Sequence, residues 1–199
     1  MTRPITAEDL WKLPRVDAPA VSSDGSTIVV PVTRYDLDSD AGTTVLYELG
    51  AGDPTPLTDG SESATSPAIS KDGATIAFLV KDEDGHHQVH LLSRNGGEAR
   101  KVTDLPLGAA GPKWLPDGRL IVVVKLTTDA PTIEGTRAWK ESKRLSSARI
   151  TEDRVYRFWD TWLTDGETWH PFVLDPSTGD LADLTPGRNW WWRLPTQGD

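Results

Sequence analysis

Three histidines, His86, His87 and His90, stand within five residues, and imidazole is a ready zinc ligand. On an extended strand, alternation puts His86 and His90 on one face and His87 on the other. The Cα atoms of His86 and His90 are then about 13 Å apart, too far to share an ion easily. The triplet therefore reads as an exposed hairpin strand. The run Lys81-Asp82-Glu83-Asp84-Gly85 resembles the start of a calcium loop, but the alternating acids, sixth-position Gly and twelfth-position Glu of that motif find no frame here. Asp84-Gly85 is instead a turn signal. Asp160 and Asp165 are a candidate carboxylate pair for glycoside cleavage, which divides acid and base roles between two acids. Asp165-Gly166 is again a turn, however, and Asp160 lies between tryptophans, where it accepts hydrogen bonds from indole or backbone N–H groups. Gly-x-Ser-x-Gly occurs nowhere in the sequence, and there is no cysteine for a thiolate site, a nucleophile or a disulfide. The sequence offers no catalytic residue, no metal set and no cofactor motif.

The aromatic stretch Arg157–Phe172 is a candidate platform for a sugar or a peptide. Trp159 and Trp162 are better read as core, because each buries of order 150–250 Å². The run Trp190-Trp191-Trp192 cannot enter one core on a strand, where neighbouring side chains face opposite ways, so it is a candidate interface. A net charge of -9 argues against nucleic acid and anionic membrane as partners. The one basic run, Arg137–Arg149, is interleaved with Ser, Glu and apolar residues and reads as a solvated helix face. No segment has the apolar length of a membrane helix, the first residues lack a signal-peptide core, and with no cysteine the expected location is cytoplasmic.

The elements that position these residues follow from a repeat. Ala20–Val32, Ala68–Val80 and Lys113–Lys125 share one plan: a short apolar run, an Asp-Gly pair, then a longer β-branched run. The pairs Asp24-Gly25, Asp72-Gly73 and Asp117-Gly118 are 48 and 45 residues apart, the period of a four-stranded propeller blade. Gly supplies the positive φ of a tight turn, so each pair joins two antiparallel strands. A second half also recurs from Thr43, His87 and His170, each strand–turn–strand. The predicted fold is all-β: a single partial β-propeller over 1–199, with about three four-stranded antiparallel blades and the start of a fourth. The blades span 18–59, 64–104 and 110–186, the third carries an insertion over 127–168, and 187–199 begins the next. A short helix is expected at 6–14, with Thr6 as cap and Asp9 completing an imperfect capping box, and another inside the insertion between Ile133 and Ser147, anchored by Trp139 and Leu145. Three blades and a stub predict an open arc.

The stretch Ile5–Gly25, the Ala68–Phe78 repeat and the Arg157-x-Trp159-Asp160-x-Trp162 segment together resemble the N-terminal propeller of the prolyl oligopeptidase family, in its bacterial acylaminoacyl-peptidase and dipeptidyl-aminopeptidase-like branch. The resemblance covers nearly the whole chain, although the PD40-like blade motifs are shared with TolB-like propellers. It implies a serine peptidase in which a propeller caps an α/β-hydrolase domain and filters substrates by size. The serine elbow of that domain is absent, so no catalytic residue carries over. The implied role is non-catalytic: gating peptide substrate and packing on the rest of the propeller and the hydrolase part, both outside this sequence. The alternative is a stand-alone TolB-like module that binds peptide or glycan or self-assembles through its open edges.

Overall fold

The computed structural model describes residues 3–50, 52–142, 157–158, 161–162 and 166–188. Helix α1 (Ala7–Lys12) precedes the first sheet, formed by β1 (Arg15–Val16), β2 (Ala20–Val21), β3 (Ile28–Asp36), β4 (Ala41–Leu49) and β5 (Thr55–Pro56). The second sheet holds β6 (Ala64–Ile69), β7 (Thr75–Lys81), β8 (His87–Ser93) and β9 (Arg100–Lys101). The third holds β10 (Ala109–Trp114), β11 (Leu120–Thr127), β14 (Glu167–Leu174) and β15 (Leu181–Asp183). Between β11 and β14 lie helix α2 (Ile133–Glu141) and a small hairpin of β12 (Arg157–Phe158) and β13 (Thr161–Trp162). All pairing is antiparallel, and each of the three larger sheets runs as a meander, a propeller blade, interrupted in sequence only by β2 between β1 and β3 and by the α2–β12–β13 insertion between β11 and β14.

The first blade has five strands where four were expected. β1 and β2 both pair with β3, Arg15 opposite Thr33 and Ala20 opposite Val29, so they are one first strand interrupted at 17–19. The other blades show a milder form of the same break. Register shifts between Thr65 and Ala68 in β6 and between Ala110 and Lys113 in β10. The bulged residues Ser66 and Gly111 take positive φ, 52° and 55°. Pro19, Pro67 and Pro112 stand at these breaks. Proline lacks the N–H that a regular ladder needs, which is why the strand gives way there.

The three turns after the first strands are closed by backbone bonds, and Gly25, Gly73 and Gly118 have φ of 73°, 71° and 86°. The first two run from Ser22 to Thr27 and from Ser70 to Thr75. The third, from Leu115 to Arg119, is one residue shorter. The Asp side chains hold the turns from inside. Asp24 and Asp72 each accept a Ser hydroxyl and a backbone N–H, and Asp117 accepts the N–H and guanidinium of Arg119.

Blades stack face to face. Ile76, Phe78, Val80 and Leu92 of the second blade meet Val29 and Leu46 of the first. Ala77, Leu79, Val89 and Leu91 meet Leu120, Val122, Val124, Leu126, Phe172 and Leu174 of the third. Because both faces of β7 are covered, Ile76 to Val80 is a continuous apolar run, every residue at most 5% exposed. Burying each such large side chain stabilises by about 1.5–3 kcal/mol. The third blade's far face, with Ile121, Val123, Pro171 and Val173, is only half-buried.

α1 is capped as its sequence implies: the Thr6 N–H donates to the Asp9 carboxylate at 3.0 Å, which Arg3 also grips at 2.6 Å. In α2 the Thr132 hydroxyl accepts the Gly135 N–H. Its anchor differs from the expected one. Trp139 is half-buried and Leu145 lies outside the described residues, whereas Thr136 is fully buried and its hydroxyl accepts the Thr127 N–H at 3.0 Å. A polar residue is buried here because it satisfies the backbone where β11 ends. Lys140 and Arg137 then tie α2 to Asp84 and Asp104 of the second blade, at 2.7 and 3.2 Å.

Candidate functional site

Of the histidine triplet, His87 and His90 lie on a central strand and His86 stands in the link before it. β8 is the third strand of its blade, paired with β7 on one side and β9 on the other, so the expectation of an exposed strand is corrected. His87 and His90 are half-buried, and desolvation lowers the pKa of both. Asp82 accepts the backbone N–H groups of Asp84 and His86 and the amide of Gln88, a turn's hydrogen-bonding pattern. Among the described residues no three His, Asp or Glu side chains are grouped to hold a metal ion. Nor is any described helix long and apolar enough to cross a membrane.

Of the signature segment, Arg157 pairs through its backbone with Trp162 in the β12–β13 hairpin. Trp159, Asp160, Asp165 and the run Trp190 to Trp192 lie outside the described residues. The turn residues Asp24, Gly25, Asp72, Gly73, Asp117 and Gly118 lie in the links between each blade's first and second strands.

Two of these turns border a groove of about 980 Å³ between the second and third blades. Leu91, Trp114, Pro116 and Pro176 give it apolar walls, and Lys71 and Arg100 stand among its lining. Trp114 is fixed by its indole N–H, which donates to the Ala68 carbonyl at 3.0 Å across the blade boundary. Arg100 spans the same boundary, donating to the Pro176 carbonyl at 2.9 Å. Further links join the first two blades: Arg94 pairs with Glu48 at 2.6 Å, and the Ser23 hydroxyl donates to the Lys71 carbonyl.

The structure also brings out a pair that the sequence reading missed. In the first two blades a Thr two residues beyond the last strand accepts a third-strand N–H: Thr58 from Leu46 at 3.1 Å and Thr103 from Val89 at 2.9 Å. Their backbone neighbours donate in the same register, Leu57 to Leu46, Val102 to Val89 and Leu184 to Pro171. The third blade thus has Pro171 where the N–H should be. There His170, fully buried, meets Asp183 at 2.8 Å, with the Thr185 hydroxyl 3.4 Å from the same ring nitrogen. The signal was Pro171 inside an otherwise apolar third strand.

No family model matches the chain. It is 34% identical over 187 residues to the uncharacterized peptidase YuxL of Bacillus subtilis, covering 93% of this chain and 28% of that protein. It is 28% identical over 172 residues to dipeptidyl-peptidase 5 of Porphyromonas endodontalis, covering 85% and 24%. The chain thus spans about a quarter of the length of these relatives. Its fold superposes on Pyrococcus horikoshii acylaminoacyl peptidase with a TM-score of 0.64, 20% identity and coverage of 87% of this chain and 26% of that one. The three meandering blades and the relatedness to these peptidases agree: the chain is similar over nearly its whole length to a β-propeller portion of peptidases.

Proposed function

We propose that the chain is the non-catalytic propeller portion of a serine peptidase acting on peptides, and that it restricts substrate access and packs against an α/β-hydrolase part outside this sequence. The observation that carries this reading is the alignment with YuxL, which takes in nearly all of the chain but little more than a quarter of the peptidase. The absence of Gly-x-Ser-x-Gly agrees with it. The half-buried face formed by Ile121, Val123 and Val173 is the surface on which the next part of the propeller would pack, and Trp190, Trp191 and Trp192 are its proposed contacts. In the same reading the blades span 18–59, 64–104 and 110–186 of a PD40-like repeat. Arg157, Trp159, Asp160 and Trp162 form a structural signature, and the location is cytoplasmic, as the lack of cysteine suggests.

The test is hydrolysis of acylaminoacyl and dipeptidyl chromogenic substrates by the purified chain. No turnover is expected. Turnover abolished by a serine-directed inhibitor would overturn the non-catalytic assignment.

A further inference from the structure

Inside the arc, each blade meets its neighbours through two different faces. Ile76, Phe78 and Val80 form the near face of the second blade, which packs on Val29 and Leu46 of the first. Ala77 and Leu79 form its far face, which packs on Leu120, Val122 and Val124 of the third. Strand register makes these positions equivalent from blade to blade, since Ile28, Ile76 and Leu120 stand opposite Val21, Ile69 and Trp114 at the ends of the first strands. Alternation then makes Ile28, Val30 and Val32 the near face of the first blade, and Ile121 and Val123 the far face of the third. Both internal junctions join a far face to a near face. One face of each kind is left without a neighbouring blade among the described residues.

These two faces are apolar over the same rows that are covered elsewhere. On the first blade Val16 stands opposite Val32, Val21 opposite Ile28 and Tyr47 opposite Val30, so all lie on the near face. Val16 and Val21 are 66% and 55% exposed, and Ile28 and Val32 are half-buried. At the equivalent places Ile76, Val80, Leu120 and Val124 are at most 5% exposed. On the third blade Ile121 stands opposite Val173 and Val123 opposite Pro171, all half-buried, where Ala77 and Leu79 are at most 3% exposed. Charges stand at the margins: Arg34 and Asp36 follow Val32 along β3, Lys125 follows Val123 along β11, and Lys113 flanks Ile121 on β10. Arg34 lies over the Tyr47 ring, and Lys125 is already paired with Glu167 at 2.8 Å.

We propose that these two faces bind each other between copies of this chain, the near face of one first blade on the far face of another copy's third blade. The chain's own packing identifies the partner. A near face is covered by a far face at both internal junctions, and a second copy supplies the matching face at either end. The contact is head to tail, so it closes into a ring or extends as a filament according to the angle between copies. A second copy thereby occupies the surface that the next part of the propeller would cover. Only the three blades are needed for this contact, so a monomeric chain would leave the peptidase reading standing.

The experiment is sedimentation velocity of the intact chain between about 1 and 200 μM, a range that brackets a micromolar dissociation constant. Species larger than one chain should grow with concentration. Val21→Glu on the near face and Val123→Glu on the far face should each weaken association at least about tenfold, because the contact would desolvate a carboxylate. An equimolar mixture of the two variants should recover a dimer, since each keeps the face that the other lacks. Val16→Glu and Val173→Glu repeat the test at neighbouring positions, and circular dichroism checks that all four variants fold. Lys71→Gln, in a turn of the second blade, should leave association unchanged. A chain monomeric at about 200 μM, association indifferent to the variants, loss through one face only, or a mixture that stays monomeric would each overturn the proposal.

Discussion

His170 Nδ1 lies 2.8 Å from Asp183 Oδ2 inside the third blade, in the register where the second blade joins the Val89 N–H to the Thr103 hydroxyl. A side-chain pair has taken over a tie that Pro171 cannot make. His170→Ala would leave the Asp183 carboxylate, 16% exposed, short of a partner. The expected loss is about 1–3 kcal/mol in urea denaturation. Pro171→Val in the same background should recover part of it by returning an N–H for Thr185. A further loss on adding Pro171→Val would count against this account.

Arg94 and Glu48 join the first two blades with a guanidinium that also reaches the Gly73 carbonyl. Each side chain is 28% exposed, so solvent screens the pair appreciably. A double-mutant cycle with Arg94→Gln and Glu48→Gln should give a coupling of about 0.5–1 kcal/mol at low salt, smaller near 0.5 M salt. Coupling that is unchanged by salt would contradict an electrostatic origin.

Gly108 and Gly25 both have positive φ but differ in their surroundings. A Cβ at Gly25 would meet nothing within 4 Å, whereas one at Gly108 would lie 2.9 Å from the backbone N and O of His87. Gly25→Ala should cost about 1–2 kcal/mol from backbone strain alone. Gly108→Ala should cost clearly more, because main chain cannot move aside as a side-chain tip can. Thermal melts of the two variants compare them directly.

The turn carboxylates contribute to the loss of stability in acid. The Ser22 hydroxyl, the Ser26 N–H and the Ser26 hydroxyl together lower the Asp24 pKa to about 2. Asp72 is lowered chiefly by the Ser70 hydroxyl, and Asp117 chiefly by Arg119. A depressed folded-state pKa contributes stability above the unfolded value, about 3.9, that is lost as pH falls through the folded value. Stability should therefore drop between about pH 4 and pH 2, and Asp24→Asn with Asp72→Asn should flatten that drop. An unchanged acid profile in the double variant would refute the assignment.

The blade order was legible because its markers are local. An Asp-Gly pair needs only a positive-φ glycine, and the run Thr75 to Val80 shows its two-sided burial by having no polar break after Thr75. The His170–Asp183 pair was hidden because its partners are 13 residues apart and meet only through strand register. Thr136 was missed as the anchor of α2 because composition favours apolar Trp139, while the deciding factor was an unpaired N–H at the end of β11. The histidine strand was misjudged as exposed because its polar residues mask a central position, with Gln88 buried through bonds to Leu105 and Thr103. The groove could not be foreseen, as Lys71, Arg100 and Pro176 come from three separate turns and strands.

The outermost strands β5, β9 and β15 have only two or three residues each. A strand that short displays few free N–H and C=O groups, too few to seed cross-β growth with a neighbouring chain. The rim is therefore a poor starting point for fibrils, even though the third blade presents a half-buried apolar face. Aggregates of this chain, when they form, should be face-to-face assemblies that dissolve as ordinary hydrophobic contacts do, without the thioflavin response of amyloid.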